Sequence, residues 1–159
     1  MISWITVVKD GLNMLVHSNE YAYFYGAKGE RLDRATMDRL YNAYPGRYSG
    51  WTNEDKERLF SFCEGKIGYD CSGFVGALTG DMSYSGALIS HCLITTTPQG
   101  GVAGSILYKK GHVGIDIGYG YFLHMPAEFR TIEIGKISEY DWEKSGEHTH
   151  VDYTGASAE

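Results

Sequence analysis

GYDCSGFVGAL, residues 68–78, sets Cys71 between an aspartate and a serine at the start of an apolar run. Behind Asp70, the residues Cys71, Phe74, Val75 and Leu78 recur at i, i+3, i+4 and i+7. This spacing predicts a short helix that buries one face and carries the thiol in its first turn. A helix N-terminus offers unpaired N–H groups and a partial positive charge, and Asp70 at the cap position would accept from the amides that follow. The setting favours a thiolate, and its N–H groups can also hold the oxygen of a tetrahedral intermediate, a role worth about 2.7 to 4 kcal/mol per donor. An unperturbed thiol has a pKa of about 8.5 and is only about 3% thiolate at neutral pH, so placement and a nearby base decide whether it reacts. Position alone leaves Cys71 open between a nucleophile and a small apolar residue on a packed helix face. Cys63 and Cys92 have no comparable cap and read as packed residues.

The base is sought among six histidines. His112 opens the alternating stretch HVGIDIG and His124 lies in YFLHMP, with GYG between them. A hairpin with a three-residue loop at Gly118, Tyr119 and Gly120 puts Ile117 opposite Tyr121 and Gly114 opposite His124, which makes His112 and His124 diagonal neighbours on one face. Cysteine catalysis needs one ring to take the thiol proton and a third group to fix that ring through its other nitrogen. Gly114 between the two would leave room for substrate or for the nucleophile helix. Asp116 has the same parity and competes with His124 as orienting group. His17, His91, His148 and His150 read as structural or surface histidines. A zinc site from Cys71, His112 and His124 would supply three ligands and an open position. It would leave Asp70 and Ser72 without a task, and its spacings are not those of familiar zinc motifs. No metal or organic cofactor is expected.

Upstream, residues 2–16 place Ile5, Val8, Leu12 and Leu15 at helical spacing behind Ser3. Residues 33–44 put Met37, Leu40, Tyr41 and Tyr44 on one face behind Asp33, and Thr52 with Asp55 reads as a capping box for a helix through Phe62. Another helix is expected from Ser85 to Ile94, followed by the loop TTTPQGGVAG. HVGIDIG, YFLHMP and RTIEIG are expected as strands, with THVDY closing the sheet. Helices first and strands later read as an α+β fold.

A chain of 159 residues fits one domain, here residues 1–153, with 28–66 as a helical insert and 154–159 as a flexible tail. The net charge is −6, with no basic run, which opposes binding to nucleic acid. The opening MISWITVVKDGLNMLV is interrupted by Lys9 and Asp10 and has no basic leader or small-residue cleavage site, so neither a signal peptide nor a membrane span is expected. Three cysteines without a C-x-x-C pair argue for reduced thiols rather than a disulfide framework.

Taken together, YDCSGFV, GHVGIDIG and YFLH resemble the signature of the NlpC-type cell-wall peptidases, papain-like cysteine hydrolases of bacteria and their phages. The resemblance implies a papain-like fold in which a helical N-terminal half presents the nucleophile helix against a central antiparallel sheet. It implies Cys71 as nucleophile, His112 as base and His124, twelve positions later, as its orienting residue. The stretch AYFYGA resembles the family's upstream tyrosine motif and implies Tyr23 as an oxyanion donor; an aromatic core residue is the equal alternative. Asp70 and Ser72 would line the substrate cleft, where relatives recognise a free amine or polar backbone, although Asp70 serves equally as a plain helix cap. Tyr69 and Trp51 are candidates for the same cleft or for the core. RATMDRLYNAYPGRYSGW resembles a helical insert of phage lysins in this superfamily.

The implied activity is cleavage of an amide bond in bacterial peptidoglycan stem peptides, after D-glutamate. Alternatives are an N-acetylmuramoyl-L-alanine amidase, an acyltransferase using the same thioester, and a degenerate module that binds stem peptides without cutting them. The expected state is a monomer made in the cytoplasm that reaches the cell wall by phage lysis or delivery as a toxin.

Overall fold

A computed structural model of the 159-residue chain describes residues 1–157. Strand β1 (Ile2–Ser3) leads into helix α1 (Trp4–Val16), which starts where extended Ser3 accepts from the Ile5 amide at 3.2 Å. Its buried stripe runs through Val7 and Gly11, while Ile5 and Leu12 of the expected face are exposed. Gly11 sets this rotation, because a Cβ there would lie 3.1 Å from Leu123 Cδ1 and 3.4 Å from Leu78 Cδ1. The helix turns its smallest residue to the core and so approaches it closely.

Strands β2 (Tyr21–Tyr23), β3 (Lys28–Arg31) and β4 (Ile67–Tyr69) form a small sheet in the order β2-β4-β3, with β2 parallel and β3 antiparallel to β4. Between β3 and β4 the chain forms α2 (Arg34–Ala43) and α3 (Asn53–Cys63). Asp33 caps α2 by accepting from Thr36 N at 2.8 Å, and Thr52 with Asp55 forms both halves of a capping box on α3. Residues 28–66 are therefore not wholly helical, since they open on a strand. Their helices bury Met37, Leu40, Leu59, Phe60 and Cys63 in a satellite core with Phe24 and Leu32.

Helix α4 (Cys71–Thr79) follows β4 directly, with Asp70 Oδ1 accepting from Gly73 N at 2.7 Å and Gly80 ending it at φ 81°. It packs against β7 (His112–Gly118) and β3. The first turn can sit this close because residue 73 is glycine: a Cβ would stand 2.6 Å from the carbonyl oxygen of Ala27. Backbone cannot yield as a side-chain tip can. Gly73→Ala is accordingly expected to destabilise the fold by about 1–3 kcal/mol, read as a lower urea midpoint at unchanged m-value.

The main sheet has the order β5-β10-β6-β7-β8-β9, antiparallel throughout, from β5 (Cys92–Thr96), β6 (Ile106–Lys109), β7, β8 (Tyr121–His124), β9 (Glu133–Lys136) and β10 (Lys144–His148). The helix expected to reach Ile94 is α5 (Ser85–Ser90), and the β-branched run after it pairs with β10 instead. The strand expected from THVDY is β11 (Val151–Asp152), which pairs in parallel with β1 apart from the main sheet.

The β7–β8 loop has two residues, Tyr119 and Gly120, at φ 57° and 82°, with a bulge between Asp116 and Gly118, in place of the expected three-residue loop. Beyond the bulge, Asp116 faces Phe122 and Ile115 faces Leu123, the register that sets Gly114 against His124. The tail expected at 154–159 is partly tied down: Trp4 Nε1 donates to Thr154 O at 2.9 Å and Ala156 N to Tyr153 O at 2.9 Å, while its last two positions lie outside the described residues. Among the described residues no helix is long and apolar enough to cross a membrane.

Candidate active site

The tip of α4, the start of β7 and the 28–66 segment meet around a cleft of about 570 Å³, lined among others by Cys71, His112, Tyr23, Lys28, Arg47 and Tyr140. The Cys71 Sγ is partly exposed and lies 4.0 Å from the carbonyl oxygen of Gly111, the residue before His112. On the sheet, His112 Nε2 and His124 Nδ1 are 2.8 Å apart and share a hydrogen bond. His124 is buried behind His112, and the His112 ring lies flat on Trp142 at 5.3 Å and 7°. With Nε2 engaged, Nδ1 is the nitrogen of His112 left for the cleft. When His124 accepts, His112 carries its proton on Nε2 and keeps the Nδ1 lone pair, the form a general base requires.

The space beside Gly114 is not open to substrate as expected. A Cβ there would meet Leu123 O at 2.9 Å and the Trp142 ring at 3.0 Å, so the glycine admits Trp142 behind the histidine pair. Asp116 lies four residues along β7 from His112, about 13 Å in an extended strand, toward the hairpin end, where its Oδ1 accepts from Gly118 N at 2.8 Å.

Burial decides the charges. It raises the Cys71 thiol above its ordinary value, with the Asp70 carboxylate adding to the rise, and the amides of Val113 and Ser72 and the Lys28 ammonium only partly offset this. Burial also lowers His112 to about 4, helped by the Lys109 charge, and lowers His124. The helix end is outweighed, and at neutral pH both thiol and imidazole are uncharged. A thiol acting as nucleophile here would have to lose its proton as it attacks rather than beforehand. Because the base must be unprotonated, kcat/KM is expected to keep its plateau below the usual histidine range and to fall only as pH approaches about 4. Alkylation of Cys71 by iodoacetamide should be slower at neutral pH than that of an unperturbed thiol, and should still be rising with pH where a free cysteine has levelled off. An acid limb at pH 6–7 would contradict this.

Tyr23 is buried at the cleft wall, its hydroxyl accepting from Arg47 Nη2 at 3.4 Å. Burial raises its pKa far above the usual phenol value, so the hydroxyl stays a neutral donor, polarised by the guanidinium. Glu128 holds Arg47 through Nε at 2.8 Å and Nη2 at 2.9 Å, and the Arg47 guanidinium lies 4.7 Å over the Tyr25 ring.

Asp70 and Ser72 reach the cleft, but their polar atoms are engaged within the protein. Asp70 Oδ1 accepts from Gly73 N, Ser72 Oγ and Lys28 Nζ at 2.7, 3.1 and 2.9 Å, and Oδ2 from Gly26 N at 3.2 Å. Tyr69 and Trp51 do not line this cleft. Tyr69 packs against Tyr21, and Trp51 against Tyr48 and Phe129 in the satellite core. Lys28, Arg47, Lys109 and Tyr140 are lining residues that sequence reading missed. Only Lys28 had a local signal, two positions after the glycine of AYFYGA.

Among the described residues, the grouping with metal-ligand character is Asp81, His91 and His148, not Cys71, His112 and His124. His91 Nδ1 and His148 Nε2 each lie 2.7 Å from Asp81 Oδ2. His148 Nδ1 accepts from His150 N at 3.0 Å, which puts the ring proton on Nε2, directed at Asp81. A metal on Nε2 would need that proton on Nδ1, facing another N–H. The trio therefore reads as a hydrogen-bonded tie between α5 and β10. Cys63 and Cys92 are packed thiols, each pushed up to about 12 by burial.

Comparison with protein-family models and with curated proteins finds no match. Among solved structures, the chain is similar to the NlpC/p60 domain of the peptidoglycan hydrolase SagA, at 15% identity and a TM-score of 0.55, over 91% of this chain and 98% of that one. The α4 tip, the histidine hairpin and the six-stranded sheet are thus parts of an α+β chain that has the papain-like fold of an NlpC/p60 domain.

Proposed function

We propose that the chain is a cysteine hydrolase that cuts amide bonds in peptidoglycan stem peptides, as a D-glutamyl endopeptidase of the NlpC type. The observation that carries this reading is the thiol at the α4 tip opening into the same cleft as His112, whose far nitrogen is bonded to His124. The substrate class is supported by the fold's likeness to a domain of a peptidoglycan hydrolase.

In this reading His112 Nδ1 takes the Cys71 proton as sulfur attacks the carbonyl carbon of the scissile amide. The developing oxyanion is held by the Cys71 amide, one of the first N–H groups of α4 with no acceptor inside the helix, and by the Tyr23 hydroxyl. Protonated His112 then gives its proton to the departing amine, leaving a thioester on Cys71. Water, deprotonated by the same imidazole, attacks the thioester and restores the thiol. His124 keeps the His112 ring oriented throughout. No step calls for a metal or cofactor.

In this reading the enzyme works as a monomer at the bacterial cell wall, reached by phage lysis or by delivery as a toxin; the lysin-like route rests on the sequence resemblance of residues 34–51 to a lysin insert. Digestion of purified peptidoglycan followed by mass spectrometry tests the bond. New amino termini within the stem peptide, at the residue after D-glutamate, are expected. Release of intact stems from the lactyl sugar would make it an amidase, and unchanged peptidoglycan with retained binding would make it a binding module.

A further inference from the structure

Although the chain carries a net charge of −6, the charged side chains lining the cleft are Lys28, Arg47 and Lys109 against the single carboxylate of Asp70. Arg47 and Lys109 face acids outside the lining, Glu128 and Asp141. Lys28 differs, because its partner sits inside the cleft next to the nucleophile. Its Nζ donates to Asp70 Oδ1 at 2.9 Å and to Ser72 Oγ at 2.6 Å, and the side chain remains 32% exposed.

A carboxylate offers about four acceptor positions, and Asp70 already receives Gly73 N, Ser72 Oγ, Lys28 Nζ and Gly26 N. Ser72 Oγ donates to Asp70 and accepts from Lys28. Three of those donors crowd Oδ1, and an ammonium approaching it or Ser72 Oγ would meet the Lys28 Nζ already bound to both. What the group presents to the cleft is the remaining N–H of the Lys28 ammonium, one of the three donors a lysine carries. Such a fixed cation attracts a carboxylate and repels a second ammonium, more strongly in a partly buried cleft than in open water.

Resting on the stem-peptide reading, we propose that Lys28 determines specificity. It makes the α4 side of the cleft select acyl portions that end in a carboxylate and reject those that end in a free amine.

The test uses three synthetic stem peptides that differ only at the amino terminus of the acyl portion: succinylated, acetylated and free amine. Wild-type kcat/KM is expected to fall in that order, by about tenfold or more from first to last. The spread should shrink when salt is raised from about 50 to 500 mM, as a charge effect must. Lys28→Met, which leaves the Asp70 carboxylate without its cation, should abolish or reverse the order, while Lys28→Arg, which keeps the charge, should preserve it. Binding of the same peptides to Cys71→Ala, measured by calorimetry, should follow the same series. A free-amine peptide cut as well as the acetylated one, or a flat or absent binding series, overturns the proposal. If Cys71→Ala binds in the stated order but the wild type cuts none of the three, the hydrolase reading fails and the selectivity of Lys28 stands.

Discussion

Cys71→Ala is expected to lower peptidoglycan hydrolysis by about 10³-fold or more. Removing a nucleophile abolishes the covalent route and leaves only what the oxyanion donors and substrate positioning supply. The fold should be indifferent to the change. Cys71 is partly exposed at the edge of the core, and the one hydrogen bond its thiol donates is weak, at 4.0 Å to Gly111 O. Loss of that contact is worth less than about 1 kcal/mol, so far-UV circular dichroism and the thermal midpoint should barely move. The pairing of lost turnover with intact stability separates a nucleophile from a packed cysteine. For contrast, Cys63 is wholly buried against Tyr23 O at 3.7 Å, and its replacement should disturb the satellite core instead. Lysis by Cys71→Ala within about twofold of wild type would remove the chemical role assigned to the thiol.

The second large effect is expected at His112. His112→Ala should cost about 10²- to 10⁴-fold in kcat/KM, the range of a positioned general acid–base group, with KM changed far less than kcat. The acid limb near pH 4 should disappear with it, because among the described residues no other histidine lines the cleft, His124 being buried behind His112. His124→Ala leaves His112 Nε2 without its 2.8 Å partner and frees the ring to turn, so a smaller loss of about 10- to 10²-fold is expected, together with lower stability from the vacated buried site. The contrast between the two variants distinguishes the base from the residue that orients it. Equal losses in both, with the pH profile unchanged, would argue that the histidines act only as packing.

The parts of this architecture legible in the sequence are those written in local chemistry. Ser3, Asp33, Thr52 and Asp70 announce four helix starts, because a side-chain oxygen must reach an amide two or three residues on. Parity alone put His112 and His124 on one face, and the bulge at Asp116–Gly118 left their register intact. What escaped was set by tertiary packing. Strand β10 sits inside the sheet with Ser145 and Gly146 buried, so small residues stand where an alternating apolar pattern would have signalled a strand. Gly146 is small because Cys92 Sγ would lie 2.6 Å from any Cβ there. The α1 face was misread for a similar reason, the close approach at Gly11. In the site, Arg47 and Tyr140 come from segments remote in sequence from Cys71, and no local motif marks them as cleft residues. Nor could sequence show that burial would outweigh the helix end and keep the thiol protonated.

The account rests on Cys71 carrying the acyl portion of its substrate. Rapid acid quench of wild-type enzyme turning over a synthetic stem peptide, followed by intact mass and peptide mapping, tests this directly. A thioester adduct is predicted on the peptide containing Cys71, with a mass equal to the substrate minus its amine product. Continued turnover with no adduct on that peptide, or an adduct on Cys63 or Cys92, would contradict it.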